Sequence, residues 1–266
     1  MISCRMLFAV ILAMSVTAHA QWLNYPTTGV PRLPNGKPNL SAPAPRTADG
    51  KPDLSGIWKL QAQCPPGGCS DYQAAPEFLD FGARLKGGLP YQPWAAELVK
   101  ERSAQLGKDD PVGLCRPAGA LRILTFPPPR KFVQLPGLVL ILSERDVTYR
   151  QLFADGRPLP ADPNPSWNGY SAGKWQGDTF VVETNGFQDG IWLDRKGSPM
   201  TDAAKVTERF RRVNYGRLEI EVSVNDPKAY TKPWSITLNQ DIMLDTELLD
   251  YYCLDNEKDA KHLVGK

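Results

Sequence analysis

Histidine is almost missing from this 266-residue chain, which has only His19 and His262. That scarcity excludes a histidine-rich zinc or iron site. It also leaves a Ser-His-Asp or Cys-His site no imidazole except His262, in a charged tail with Lys258, Lys261 and Lys266. Any catalysis would rest on Asp, Glu, Tyr, Lys or Arg. Neither sign of charge dominates, with 31 basic against 29 acidic residues and no basic block. Nucleic acid is therefore excluded as the expected partner. Long apolar runs are lacking too. The run from Leu7 to Met14 is too short for a permanent membrane anchor, and Pro136 and Gly137 interrupt the stretch 133–142.

The short apolar run has its own meaning. Arg5 precedes it and Ala18-His19-Ala20 follows it. That pattern predicts a secretory signal peptide over residues 1–20, cleaved after Ala20, and a periplasmic or secreted protein starting at Gln21. Cys4 lies before the run, the wrong side for a lipid-anchor cysteine. Cleavage leaves Cys64, Cys69, Cys115 and Cys253. An even count in an exported chain suggests two disulfides. Cys64 and Cys69 flank Pro65-Pro66-Gly67-Gly68, so they are expected to pair, leaving Cys115 with Cys253. A C-x4-C zinc half-site is the rival, but it needs two more ligands. No metal and no cofactor is expected.

Proline (25) and glycine (22) are abundant and suit a turn-rich β chain. Residues 21–53 read as an extended Pro-rich arm. Within it Gly36-Lys37-Pro38-Asn39-Leu40-Ser41 recurs as Gly50-Lys51-Pro52-Asp53-Leu54-Ser55, which reads as two similar turns. Residues 54–266 read as a single β-barrel domain with an insert at 61–107. Residues 55–60 form the first strand, and a helix in the insert starts at Pro93 and stops at Gly107. Further strands are expected at 131–135, 138–143, 147–153, 171–176, 179–184, 205–213, 217–224, 234–240 and 247–253. Short strands at this spacing predict an antiparallel up-and-down barrel or a sandwich.

Two hairpins can be read in register. With Gly177-Asp178 as the loop, Trp175 faces Phe180. With Tyr215 as a turn centre and Gly216 left-handed, Arg209 faces Glu221 and Arg211 faces Glu219. Val206, Phe210, Leu218, Ile220, Val222 and Val224 then share the apolar face. Glu208 falls on that face opposite Val222. A buried carboxylate needs a partner or an elevated pKa. Arg212 could supply the charge, or a bulge could turn Glu208 outward. Two rich loops follow, at 155–170 with Asp155, Arg157, Trp167, Asn168 and Tyr170, and at 185–202 with Phe187, Trp192 and Asp194. Loops of this kind cover binding sites or plug barrel mouths.

Gly56-Ile57-Trp58 resembles the opening-strand G-x-W of lipocalins and the first strand of avidins. Trp175-Gln176-Gly177-Asp178-Thr179-Phe180-Val181-Val182 resembles a hairpin of fatty-acid-binding proteins. Together they imply a calycin-like barrel. Residues 49–58, 162–167, 207–210 and 226–234 resemble a family of uncharacterised exported bacterial proteins, which implies location but no mechanism.

Three functions fit this reading. The first is a barrel holding a small, largely apolar or aromatic ligand in its interior, with Trp58, Trp175, Phe210 and Trp234 lining it and Glu208 and Arg212 anchoring a polar group. Trp167, Tyr170 and Trp192 would add loop contacts. The second is a cofactor-free lyase, isomerase or hydrolase, with Glu208 as base, Tyr230 or Tyr170 as acid, and Arg212 or Arg209 holding negative charge. The third is a module binding envelope polysaccharide or protein through surface aromatics.

Overall fold

In this computed structural model, residues 25–61 and 75–253 are described. The leader, Cys64, Cys69 and His262 lie outside them. Nine strands close into a barrel: β1 (Gly56–Leu60), β2 (Arg130–Leu135), β3 (Leu138–Ser143), β4 (Thr148–Phe153), β5 (Tyr170–Gln176), β6 (Thr179–Asn185), β9 (Lys205–Asn214), β10 (Arg217–Asn225) and β11 (Trp234–Met243). Between β6 and β9, β7 (Ile191–Trp192) and β8 (Pro199–Met200) pair apart as a small hairpin. The strands follow chain order around the ring, and β11 meets β1. The expected strand at 247–253 is not formed: the stretch makes one bridge, Arg145 to Tyr251, with the Asp146 amide donating to the Tyr251 carbonyl and the Tyr251 amide to the Glu144 carbonyl. β4 starts at Thr148 rather than Val147, whose φ of 46° is outside the strand region.

The hairpin registers match the alternation read from the sequence. Arg209 faces Glu221, Arg211 faces Glu219, Val222 faces Glu208, and Trp175 faces Phe180. Gly216 does not take the expected left-handed conformation. It is required for close approach instead: a Cβ there would sit 2.7 Å from Leu40 Cβ. The Pro-rich arm passes at that point, with the Tyr215 and Gly216 amides donating to the Ala42 and Leu40 carbonyls.

Nine is an odd number, and that fixes one feature of the barrel. Strand directions cannot alternate all the way around an odd ring, so one interface must be parallel. It is β4 with β5, bridged at a single position, Phe153 with Ala172. A parallel neighbour needs a connection of about a dozen residues or more. The Pro-rich loop 154–169 supplies it. The fold is thus an up-and-down barrel, antiparallel except at this one seam.

Side chains fill the interior. Phe132, Phe180 and Phe210 meet at its centre, with ring centroids 6.0 Å and 6.2 Å apart along the chain of contacts. At the end that carries the β2–β3, β5–β6 and β9–β10 turns, Arg212 lies over the Trp58 ring, 4.9 Å from its centroid. At the opposite end the insert, which runs on to residue 129, closes the barrel. It holds α1 (Pro76–Leu79), α2 (Pro93–Ala104) and a 3-10 turn, Arg122–Thr125. Arg130 reaches up to this turn and donates to the carbonyls of Ile123, Phe126 and Pro128 and to Gln240 Oε1. Burial pushes its pKa down, while these oxygens solvate the charge.

Candidate functional site

The parallel seam is the open place in the wall. Beyond the single bridge at Phe153, β4 and β5 diverge around a cleft of about 500 Å³. β4 supplies Tyr149, Arg150, Gln151 and Phe153 to it, and the end of the crossover with β5 supplies Trp167, Asn168, Tyr170 and Ser171. Asn168 spans the gap, its Nδ2 donating to the Tyr149 carbonyl at 3.1 Å. That side chain replaces a ladder bond that a paired strand would make. Gly169 makes the turn possible: its φ is 63°, and a Cβ there would lie 2.6 Å from the Asn185 carbonyl.

Beneath the cleft lies an ion pair inside the barrel. Arg150 Nη1 donates to Glu208 Oε1 at 2.9 Å and Nη2 donates to Glu208 Oε2. Nη2 also donates to Ser171 Oγ at 3.1 Å and Thr184 Oγ1 at 3.0 Å. One guanidinium therefore ties together β4, β5, β6 and β9 across the weakly paired seam. The arginine side chain is 4% exposed and the glutamate 0%. Arg150 Nε has no partner among the described residues.

This arrangement corrects the expected partner. Arg212 does not neutralise Glu208. It lies at the turn end, donating to the carbonyls of Asp53 and Ser55 in the arm and of Tyr215 in the turn. Burial lowers its pKa to about 10. Each Glu208 oxygen accepts from Arg150 and the side chain has no exposure, so no surface of it meets solvent or the cleft. Tyr230 is buried, and its hydroxyl donates to the Pro199 carbonyl at 2.7 Å. Burial raises its pKa well above the usual tyrosine value, so a proton is hard to remove there. Glu208, Arg212 and Tyr230 thus lie in three separate places, and of the residues named for acid–base chemistry Tyr170 lines the cleft.

The expected aromatic residues divide. Trp58 and Phe210 are core, and Trp58 Nε1 donates to the Leu54 carbonyl at 3.1 Å. Trp175 packs on Phe180, ring centroids 5.2 Å apart. Trp234 meets Phe81 and Tyr230 edge-on under the insert. Trp192 is buried beneath Arg102. Trp167 and Tyr170 line the cleft. The two rich loops do meet, through the Ser166 amide donating to the Gly186 carbonyl. Asp194 in the second loop is buried and accepts from the Phe81, Gly197 and Ser198 amides and Ser198 Oγ, a structural brace. Burial pushes its pKa up.

Tyr149, Arg150 and Phe153 went unrecognised in the sequence. The signal was present in Thr148-Tyr149-Arg150-Gln151-Leu152-Phe153: if Leu152 points inward, period two also points Arg150 inward, a charge on an apolar face. Around the cleft, Phe153 stacks on Tyr170 at 5.3 Å and Arg157 caps Phe153 at 3.8 Å. Asp155 pairs with Arg157 and its carboxyl is held below the usual range by that guanidinium. Cys115 and Cys253 form the expected disulfide, two residues from cleft-lining Pro117 and from Tyr251, which bridges Arg145, two residues before cleft-lining Val147. Among the described residues no three His, Cys, Asp or Glu side chains cluster as a metal site. Compared with protein-family models, curated proteins and solved structures, the chain matches none.

Proposed function

We propose that this barrel binds a small molecule in the cleft at the β4–β5 seam rather than along its axis. One observation carries the reading: the only parallel interface of the closed barrel is bridged at one residue pair, and beside it a cleft presents four aromatic side chains, Tyr149, Phe153, Trp167 and Tyr170. Its volume is within the range of about 300–1,000 Å³ usual for small-molecule sites. The axial position expected from the sequence is occupied by Phe132, Phe180 and Phe210. Binding without turnover is favoured over catalysis because Glu208 is sealed against Arg150. The protein acts outside the cytoplasm in this reading, as the leader implies, and its mature chain should begin at Gln21.

Native mass spectrometry of the protein purified from its host tests the site. The expected result is one small molecule per chain on the wild type and its loss from Trp167→Ala. A molecule retained at full stoichiometry in Trp167→Ala would contradict the cleft.

A further inference from the structure

The chemistry of the cleft narrows its ligand. This step rests on the seam cleft being the binding site. No carboxylate is among the lining side chains, so the cleft does not select a cation. Its one lining cation, Arg150, is neutralised by Glu208 in a bidentate pair, so it does not select an anion strongly. Arg157, stacked on Phe153 next to it, is likewise held by Asp155. What remains is neutral: amides from Gln151 and Asn168, hydroxyls from Thr148, Ser166 and Tyr149, and aromatic faces.

Asn168 lines the cleft with its Nδ2 engaged by the Tyr149 carbonyl, so its Oδ1 is the acceptor that a ligand hydroxyl would use. Tyr149 is 63% exposed, so its ring is a platform and not a wall. A flat aromatic ligand gains most when it is enclosed on both faces and 70–90% buried. A ligand that stacks one face on a ring and keeps hydroxyls in water suits a half-open cleft better. A sugar ring has that character. Its C–H face carries partial positive charge that meets the negative aromatic face, and its hydroxyls both donate to and accept from amides.

We propose that the seam cleft binds a neutral saccharide, with Tyr149 and Trp167 as stacking platforms and Gln151 and Asn168 reading hydroxyls. Titration calorimetry on the full chain tests this with three neutral trisaccharides built from glucose, galactose or N-acetylglucosamine units. Indole and palmitate serve as non-saccharide probes. The expected result is binding of at least one trisaccharide, weakened about tenfold in Tyr149→Ala, equivalent to ~1.4 kcal/mol. Tyr149 is exposed, so its removal leaves the fold intact, and the melting temperature of the variant checks that. Indole or palmitate binding with Tyr149 dependence, and no trisaccharide binding, would overturn the saccharide while leaving the cleft standing. Trisaccharide binding unaffected by both Tyr149→Ala and Trp167→Ala would overturn the assignment of the site as well.

Discussion

A glutamate and an arginine inside a barrel are an energetic liability unless each completes the other. The Arg150–Glu208 pair meets that condition, with Ser171 Oγ and Thr184 Oγ1 sharing the remaining N–H of Nη2. Removing one partner strands the other charge, which costs about 3–5 kcal/mol. Glu208→Gln should therefore lower the urea midpoint sharply. The double change Glu208→Leu with Arg150→Met should cost less than the single one. Equal stability of Glu208→Gln and wild type would refute the pair as a brace. Tyr230 and Tyr91 make a second, pH-dependent case. Burial raises both pKa values, so the folded chain keeps protons that the unfolded chain loses near pH ~10. Their stabilisation is complete below that pH and is lost as pH climbs toward the raised folded values. A Tyr91→Phe, Tyr230→Phe chain should give a flatter fall of urea midpoint between about pH 9 and 11. An unchanged slope would refute it.

The elements show why some of the structure was legible in the sequence and some was not. The β9–β10 hairpin was legible residue by residue because its two faces differ in polarity along the whole length: Arg209, Arg211, Glu219 and Glu221 against Val206, Phe210, Ile220 and Val222. Period two and one turn suffice to set such a register. Glu208 was placed correctly on the inner face for the same reason. Its partner was not, because Arg150 comes from a strand 58 residues away and three places along the ring. Nothing local to a strand encodes which distant strand it faces. The stretch 247–253 failed as a strand because the closed barrel leaves it no free edge: β11 is already paired with β10 on one side and β1 on the other. The seam itself was illegible because it follows from the count of strands, and one misplaced strand changes that parity.

The disulfide belongs to this scale too. Cys115 and Cys253 are 138 residues apart and join the insert to the segment that bridges Arg145 in the β3–β4 turn. Replacing both by Ser should cost about 2–5 kcal/mol in thermal or urea unfolding. It should also weaken ligand binding, since Pro117 and the turn at Arg145 lose their common tether. Loss of stability with binding unchanged would separate the disulfide from the site.

For the whole molecule, the arm and the insert close the two ends and leave the side. The arm carries two like turns, Arg32 Nη1 holding the Gly36 carbonyl at 2.8 Å and Arg46 Nη1 the Gly50 carbonyl at 2.7 Å. The first docks at the β9–β10 turn through the Leu40 and Ala42 carbonyls, and the second through Arg46 on Asp178 at the β5–β6 turn and Leu54 in the core. The insert seals the other end with Arg130 gripping the 3-10 turn. In the proposed reading, a barrel covered at both ends and packed along its axis takes its ligand at the wall, which is least continuous at β4–β5.

Hydrogen–deuterium exchange with and without bound ligand, either the co-purifying molecule or the trisaccharide that binds, tests that claim most directly. The account predicts slowed exchange in Thr148–Phe153 and in residues 166–171, with the central strands β9 and β10 unchanged. Slowing confined to β9, β10 and the turn at Arg122–Thr125 would place the ligand on the barrel axis and contradict it.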